Sequence, residues 1–386
     1  MVKTRKILIT GGGSGGHLSA CSAIIEGIKG RYPELYTDLV YVGGDLGMVG
    51  EDFGNSLEQR KFENADFKTE YIRAGKLQRR LSLSSLRLFL RSFLGLVDSF
   101  KIIKREKPDL IFSTGGFVSV PVTLAGWLKG TPIYLHEQTA TVGLSNKVVS
   151  KFAKRIYIAF ESSKDHFQEE KVLLVGNIVR EAITNFNTEE VSKNVKDLIT
   201  QYTEYPLIYI SGGGLGSHMI NEKVLSEIKE LLTKYRIILQ TGSNQKCNDF
   251  NNSLEIKSKL PQELQERFLP IKFIDDKNIG YVYKNMGLFI GRAGANTVYE
   301  IGLLAKPSIF IPIPWVTNNE QFLNAKVLVD LGLSTIIEEK ELKKLTLNEI
   351  IEVEISKLSK KKINVEEIKR MFPANAVEKV LNDMYT

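Results

Sequence analysis

"ITGGGSGGHLSACSAI", residues 9–24, carries Gly11, Gly13 and Gly16 in the spacing G-x-G-x-x-G, directly behind the apolar run "KILIT". A close cousin, "ISGGGLGSHMIN" at 210–221, repeats the order of apolar run, glycine loop and helical pattern. Glycines at such a turn let the backbone approach a ligand and aim N–H groups from a helix start. Working outward, short β-branched runs alternate with helical-period segments: "DLVYVGG", "DLIFSTGG", "PIYLHEQ", "RIYIAF" and "KVLLVGN", then "LIYISGGG", "RIILQTG", "IKFID", "LFIGRAG" and "SIFIPIP". Each run ends in small or polar residues before a helix begins, the pattern of parallel sheets covered on both faces.

The polar stretch "EAITNFNTEEVSKNVKDLITQYTEY", 181–205, interrupts this series, after which a strand and glycine loop start afresh. The expected architecture is therefore α/β, two doubly wound Rossmann-like domains facing a cleft, with ligands at the carboxyl ends of the strands. The boundaries expected are 1–180, 181–362 and a helical tail, 363–386, that packs back on the domains.

The length of 386 residues exceeds one compact core and suits two domains. A formal charge of +7 fits anionic partners without choosing among nucleic acid, phosphorylated metabolites and acidic membrane. Cys21 and Cys247 stand far apart and outside any C-x-x-C spacing, which argues against a disulfide scaffold and for a reducing, cytoplasmic setting. The apolar start "MVKTRKILIT" is too short for a signal peptide and reads as a first strand. The uncharged run 110–128 has the length of a membrane span, but Gly115-Gly116 and Pro121 break it into strand, loop and helix.

A lone G-x-G-x-x-G is a weak dinucleotide signal, and the acid it would need, Asp45, follows two glycines. His17 stands immediately after the last glycine, where a helix N-terminus disfavours imidazolium; this suits a general base. His136 and Glu137 follow an apolar strand, so Glu137 is a second candidate base or an orienting group, with a buried polar network as the alternative. The loop Gly212 to Gly216 lacks the G-K-[S/T] ending of a P-loop but can still offer N–H groups to a phosphate. In "FIGRAGANTVYEIGLL" a strand runs into a helix expected to start near Asn296, with Glu300 on its first turn as an acceptor for a ribose diol. No D-x-D motif or metal-ligand spacing occurs, and neither a metal nor a cofactor is expected.

Residues 71–105 hold nine basic residues and one acid, Asp98. Leu86, Phe89, Leu90, Phe93, Val97 and Phe100 follow helical spacing, with Arg87, Arg91, Lys101 and Arg105 on another face. This is either an ordinary domain helix or a peripheral contact with anionic lipid. Nucleic acid is not expected, because the aromatics sit on the apolar face and leave no stacking platform.

Taken in order, "GGGSGGH", "STGGFVSVPV", "HEQTATVGLSNK", "VGNIVRE", "SGGGLG", "QTG", "FIDD", "RAGANTVYE" and "NNEQFLNA" resemble the MurG family over residues 5 to 340. The resemblance implies the glycosyltransferase-B fold. It also implies an inverting transfer of N-acetylglucosamine from its UDP donor to the C4 hydroxyl of undecaprenyl-diphosphate-linked N-acetylmuramoyl pentapeptide, turning lipid I into lipid II for peptidoglycan, cell shape and division. On this footing Arg180, Gly214, Ile274, Ala295, Asn296, Thr297, Val298, Tyr299, Glu300 and Gln321 fall on donor positions. Ser14, Gly15, Gly16 and Thr139 fall at the donor-facing edge of the N-terminal domain, and Gly13, Gly115 and Gly116 on the acceptor side. A basic, apolar patch on that domain would meet anionic lipid at the cytoplasmic face of the cell membrane as a peripheral contact.

Four positions depart from the family pattern: H-V-F-P reads His17-Leu18-Ser19-Ala20, H-E-Q-N ends in Thr139, Ile178 replaces a proline, and Ser-x-Gly-Ala reads Gly214-Leu215-Gly216-Ser217. The alternatives are a UDP-sugar diacylglycerol glycosyltransferase, a UDP-N-acetylglucosamine 2-epimerase and an inactive membrane scaffold.

Overall fold

The computed structural model describes residues 6–45, 56–74, 83–244, 247–361 and 363–385. It divides into two units, Met1–Arg180 with Asn375–Thr386, and Glu181–Ala374.

The first unit holds β1 (Ile7–Gly11), β2 (Val40–Gly44), β3 (Lys68–Ile72), β4 (Leu110–Gly115), β5 (Ile133–Glu137), β6 (Arg155–Ile158) and β7 (Val172–Leu174). They form one parallel sheet in the order β3-β2-β1-β4-β5-β6-β7. Leu8 pairs with Val40 on one side and Ile111 on the other, so β1 is central, and all five of its residues are buried. Burial on both faces explains why "ILIT" shows no polar alternation. The order reverses between β1 and β4, which places the carboxyl ends of those two strands at the switch point where such sheets bind ligands.

The second unit repeats the plan with β8 (Leu207–Ser211), β9 (Arg236–Gln240), β10 (Phe268–Ile271), β11 (Leu288–Gly291), β12 (Ser308–Phe310) and β13 (Ser334–Ile336). Their order is β10-β9-β8-β11-β12-β13, again parallel, with the switch between β8 and β11. Both sheets are doubly wound, as the sequence pattern predicts.

The helix Ala376–Tyr385 belongs to the first unit, where Val380, Leu381 and Met384 are fully buried and Tyr157 donates to Asp383 at 2.8 Å. A side chain at Gly27 would collide with Val377, so the close packing of this helix on Gly15–Arg31 depends on that glycine. Phe372 packs in the second unit, its ring 5.0 Å from that of Tyr299.

The run 110–128 resolves into β4, a loop and the helix Ser119–Leu128; no helix among the described residues is long and apolar enough to cross a membrane. The helix Leu83–Glu106 buries Ser99, Ile102, Ile103 and Glu106, while Phe93, Leu94 and Val97 are exposed. Its inward face thus differs from the apolar stripe read in the sequence, whose Val97 points outward and whose Phe100 is partly buried. The side chains of Leu86, Arg87, Phe89 and Leu90 lie outside the described residues. Cations of the basic stretch are spent within the fold: Arg73 pairs with Asp98 and Arg91 with Asp45, each at 2.7 Å, and Arg105 pairs with Glu70 and Glu106.

Candidate functional site

In the first unit β1 ends at Gly11, the chain turns through 12–14, and the helix Gly15–Arg31 begins with Ser14 as its cap, accepting from the His17 amide at 3.4 Å. The loop after β4 lies against this turn. Gly12 N donates to Gly115 O at 3.3 Å, and Gly115 and Gly116 adopt φ of +99° and +86°, in the left-handed region. A side chain at Gly116 would strike the Gly12 carbonyl and come within 3.1 Å of His17 Cδ2. Gly13, Ser14, Gly15, Gly16, His17, Gly115 and Gly116 are therefore one surface at the switch point, with glycines required by close approach.

One amide of this first loop is engaged from inside by a carboxylate. Glu58, on the short helix Leu57–Lys61 and 1% exposed, accepts from Gly13 N at 2.5 Å. A carboxylate on the Gly13 amide disfavours an anion at that N–H. Sequence reasoning missed Glu58, although the capping box Ser56/Gln59 marks its helix.

His17 is partly exposed, and burial of its ring holds its pKa down to about 4 against a small raising effect from the Thr114 hydrogen bond. Its Nδ1 lies 3.2 Å from Gln138 Nε2, which also donates to Thr114 O at 3.2 Å. The ring is neutral at pH 7, as a base requires.

Glu137 closes β5 and is 1% exposed. One carboxylate oxygen accepts from Thr139 N at 2.9 Å and Thr139 Oγ1 at 2.7 Å; the other accepts from Gly143 N at 3.1 Å and Asn146 Nδ2 at 2.9 Å. Burial raises its pKa and these bonds lower it. With both oxygens engaged by four donors, Glu137 holds the loop 138–146. The Thr139 hydroxyl is likewise turned inward, toward Glu137 and Thr141 O. His136 is fully buried, its Nε2 3.2 Å from Gly176 O, and burial holds it at about 4.

In the second unit the Gly213 amide of the loop after β8 donates to the neutral Ser211 hydroxyl at 3.1 Å, where the first loop has a carboxylate. Gly213 has φ of +88°, and a side chain at Gly213 or Gly214 would meet nothing within 4 Å. Gln240, a residue the sequence reading did not single out, joins this loop to Ile274. Its Oε1 accepts from Ile274 N at 3.0 Å, and its Nε2 donates to Gly213 O at 3.1 Å.

The helix Ala295–Leu303 starts after Gly294 with no side-chain cap and no acid in its first turn. Ala295, Asn296 and Thr297 are partly exposed at this helix start, the kind of position where backbone amides meet anions. Val298 and Tyr299 point into the core, and Tyr299 donates to Pro373 O at 2.9 Å; their side chains cannot line the site. Glu300 sits on the second turn rather than the first, 3% exposed, accepting from Tyr283 at 3.1 Å. Gln321 accepts from Ile313 N at 3.0 Å through Oε1, which orients its amide nitrogen away from that bond. Asn324 ties the Gln321 helix to Ala293 O at 3.3 Å, and Arg292 bonds Ser217 Oγ at 2.9 Å. Gly214, Ile274, Ala295–Thr297 and Gln321 are thus linked through Gln240, Arg292 and Asn324. Arg180 is the last residue of the first unit and partly exposed.

Comparison with known proteins gives two domain matches: "Glycosyltransferase family 28 N-terminal domain" over residues 7–158 and "Glycosyltransferase family 28 C-terminal domain" over 207–380. The chain is 34% identical over 350 residues to UDP-N-acetylglucosamine--N-acetylmuramyl-(pentapeptide) pyrophosphoryl-undecaprenol N-acetylglucosamine transferase 3 of Bacillus thuringiensis strain Al Hakam, covering 90% of each chain. Among solved structures it is similar to MurG of Acinetobacter baumannii, with a TM-score of 0.67 and 22% identity over 97% of this chain and 98% of that one. The UDP-GlcNAc 2-epimerase of Neisseria meningitidis bound to UDP-GlcNAc shares the fold, with a TM-score of 0.61 and 12% identity over 98% and 99% of the chains.

Proposed function

The chain belongs to the MurG family within glycosyltransferase family 28, and on that premise we propose how its residues divide the work of the reaction. It is a UDP-N-acetylglucosamine-dependent glycosyltransferase that moves N-acetylglucosamine onto the lipid-linked muramoyl pentapeptide of peptidoglycan synthesis. The epimerase likeness is one of fold.

The observation that carries the assignment of residues is the contrast between the two glycine loops: a buried carboxylate, Glu58, sits on the Gly13 amide, whereas the Gly213 amide meets the neutral Ser211 hydroxyl and a Cβ at Gly213 or Gly214 would face open space. The UDP diphosphate belongs on the second unit, held by the Gly213–Gly214 backbone and the amides of Ala295, Asn296 and Thr297. Ile274 borders the uracil, Glu300 takes the ribose with its carboxylate oriented by Tyr283, and Gln321 offers its amide nitrogen to a sugar hydroxyl. Arg180 supplies a further donor-side cation. The acceptor belongs to the first unit, at Gly13, Gly115, Gly116 and His17.

The reaction is an inverting displacement. The muramoyl C4 oxygen bonds to the anomeric carbon, the bond from that carbon to the β-phosphate oxygen breaks, its electron pair leaves with UDP, and the hydroxyl proton passes to solvent. The helix start at Ala295 and the loop amides meet the charge that develops on the leaving diphosphate.

The first unit also carries the lipid contact. Phe93 and Leu94 on one helix, Trp127 and Leu128 on the next, and Leu144 and Val148 on a third are exposed apolar side chains, accompanied by exposed Lys101, Lys129 and Lys147. Such a surface suits peripheral attachment to the anionic cytoplasmic face of the membrane.

The test is incubation of the purified protein with labelled UDP-N-acetylglucosamine and either a lipid I analogue, diacylglycerol or no acceptor. Label entering lipid only with the lipid I analogue is expected. Label on diacylglycerol, or conversion to the 2-epimer without acceptor, overturns the assignment.

A further inference from the structure

We infer that Ser243, on the turn after β9, is a further donor-binding residue: its hydroxyl hydrogen-bonds the diphosphate of the nucleotide sugar beside the Gly214 amide. The inference rests on the proposed placement of UDP on the second unit, and it starts from the direction of one peptide group. Gly213 O accepts from Gly216 N at 3.1 Å and from Gln240 Nε2 at 3.1 Å, and Gln240 is buried, so this carbonyl points inward. In a trans peptide the N–H of the next residue points the opposite way, which turns the Gly214 amide outward. The Gly213 amide is turned instead to Ser211 Oγ at 3.1 Å. A Cβ at Gly213 or Gly214 would meet nothing within 4 Å, so an anion has room at the outward amide.

The turn after β9 is locked onto this loop. Gly216 and Gly242 have φ of +82° and +87°; a side chain at Gly216 would strike Thr241 O, and one at Gly242 the Gly216 amide. That close approach sets Ser243 against Gly214. Gly214 O accepts from Ser243 N at 3.0 Å and from Ser243 Oγ at 3.2 Å, and Asn244 N donates to Leu215 O at 3.3 Å. The backbone bond holds the residue in place and satisfies the carbonyl by itself, so the hydroxyl bond is the dispensable one of the two. Ser243 is exposed, and its hydrogen reaches a new acceptor by rotation about Cβ–Oγ, with no heavy atom moved. A phosphoryl oxygen outcompetes a neutral carbonyl for that hydrogen, because a bond to an anion is the stronger. No residue of the turn 241–244 carries a negative charge to oppose the ligand.

Ser243→Ala removes the hydroxyl and keeps the backbone bond to Gly214 O, so the loop stays in place. Calorimetry on the full chain is expected to show UDP bound about tenfold more weakly by Ser243→Ala. Uridine, which lacks the phosphates and is measured by competition with UDP, should bind wild type and variant within about twofold of each other. Ser243→Thr, which keeps a hydroxyl at an exposed position, should bind UDP within about threefold of wild type. Undiminished UDP affinity in Ser243→Ala, an equal loss for UDP and uridine, or a loss in Ser243→Thr as large as that in Ser243→Ala overturns the inference. Wild-type protein that binds no UDP overturns the donor placement and this inference with it, whereas wild-type binding that Ser243→Ala leaves intact removes Ser243 alone.

Discussion

Asn146 Nδ2 donates to Glu137 Oε2 at 2.9 Å, deep in the first unit and 9 residues away along the chain. The pair closes the loop 138–146 on itself, and with Thr139 and Gly143 it leaves Glu137 no free oxygen. Glu137→Gln replaces an oxygen that accepts two bonds with an NH2 group that accepts none. Because an unsatisfied buried donor costs about 1–3 kcal/mol, the variant should lose at least that much stability in urea unfolding. A variant of unchanged stability whose turnover collapses would instead restore Glu137 as the base.

Gln240 stands between the open loop and Ile274 in the same way. Gln240→Ala removes the donor to Gly213 O that also ties down Ile274 N, leaving Gly213 O with Gly216 N, so the segments bordering the base and the diphosphate lose their common anchor. UDP affinity measured by calorimetry should fall roughly 10–100-fold, the equivalent of one or two lost hydrogen bonds at a preorganised site. Unchanged affinity would remove Gln240 from the donor site.

Glu58 gives the third prediction. Its carboxylate on Gly13 N is a charge-assisted bond in a buried setting, and such bonds are worth about 1.5–3 kcal/mol. Glu58→Ala should destabilise the protein by about that amount in chemical unfolding. It should also leave UDP binding unaltered, since the donor is assigned to the other unit. Loss of UDP affinity in a folded Glu58→Ala protein would contradict that assignment.

The doubly wound sheets were legible because burial on both faces writes itself into the sequence as uninterrupted runs such as "ILIT" and "LIYIS". The glycine loops were legible for the same local reason. What the sequence did not disclose are side chains whose meaning comes from a distant partner. Glu58 lies 45 residues from Gly13, Gln138 lies 121 from His17, and Gln240 lies 34 from Ile274. Nothing at either end of such a pair marks the other. The helix begins at Ala295, one residue before the start expected near Asn296, and Glu300 lies beyond the first turn counted from either residue. Val298 and Tyr299 were included with their helix although only its other face is open.

His136 supplies a pH prediction. Burial depresses its pKa from 6.5 to about 4, so the folded state favours the neutral ring. Its contribution to stability is fully present above 6.5 and is lost as pH falls from 6.5 toward 4, where the unfolded chain binds the extra proton. Between pH 7 and pH 5 the loss from this residue should be about 2 kcal/mol. Glu137, whose raised pKa works in the opposite direction, is common to both proteins when wild type is compared with His136→Asn. Urea unfolding at the two pH values should show a smaller acid loss in the variant by about that amount; identical losses would refute the assignment to His136.

The lipid contact separates from catalysis through charge and apolar area. Trp127 is 48% exposed and packs on Phe152 with ring centroids 5.4 Å apart, so an acidic side chain at 127 disturbs the surface more than the core. With Arg73 and Arg91 already paired to carboxylates, the attraction to anionic lipid falls to cations such as Lys101, Lys129 and Lys147, each worth about 1 kcal/mol near the surface. Co-sedimentation with vesicles should therefore require an anionic phospholipid and weaken as salt rises, because screening shortens the reach of those charges. Trp127→Glu should lower vesicle binding at least tenfold while leaving UDP affinity in solution unchanged. Equal binding to neutral and anionic vesicles would rule out the electrostatic part. Full binding by Trp127→Glu would move the contact elsewhere on the first unit.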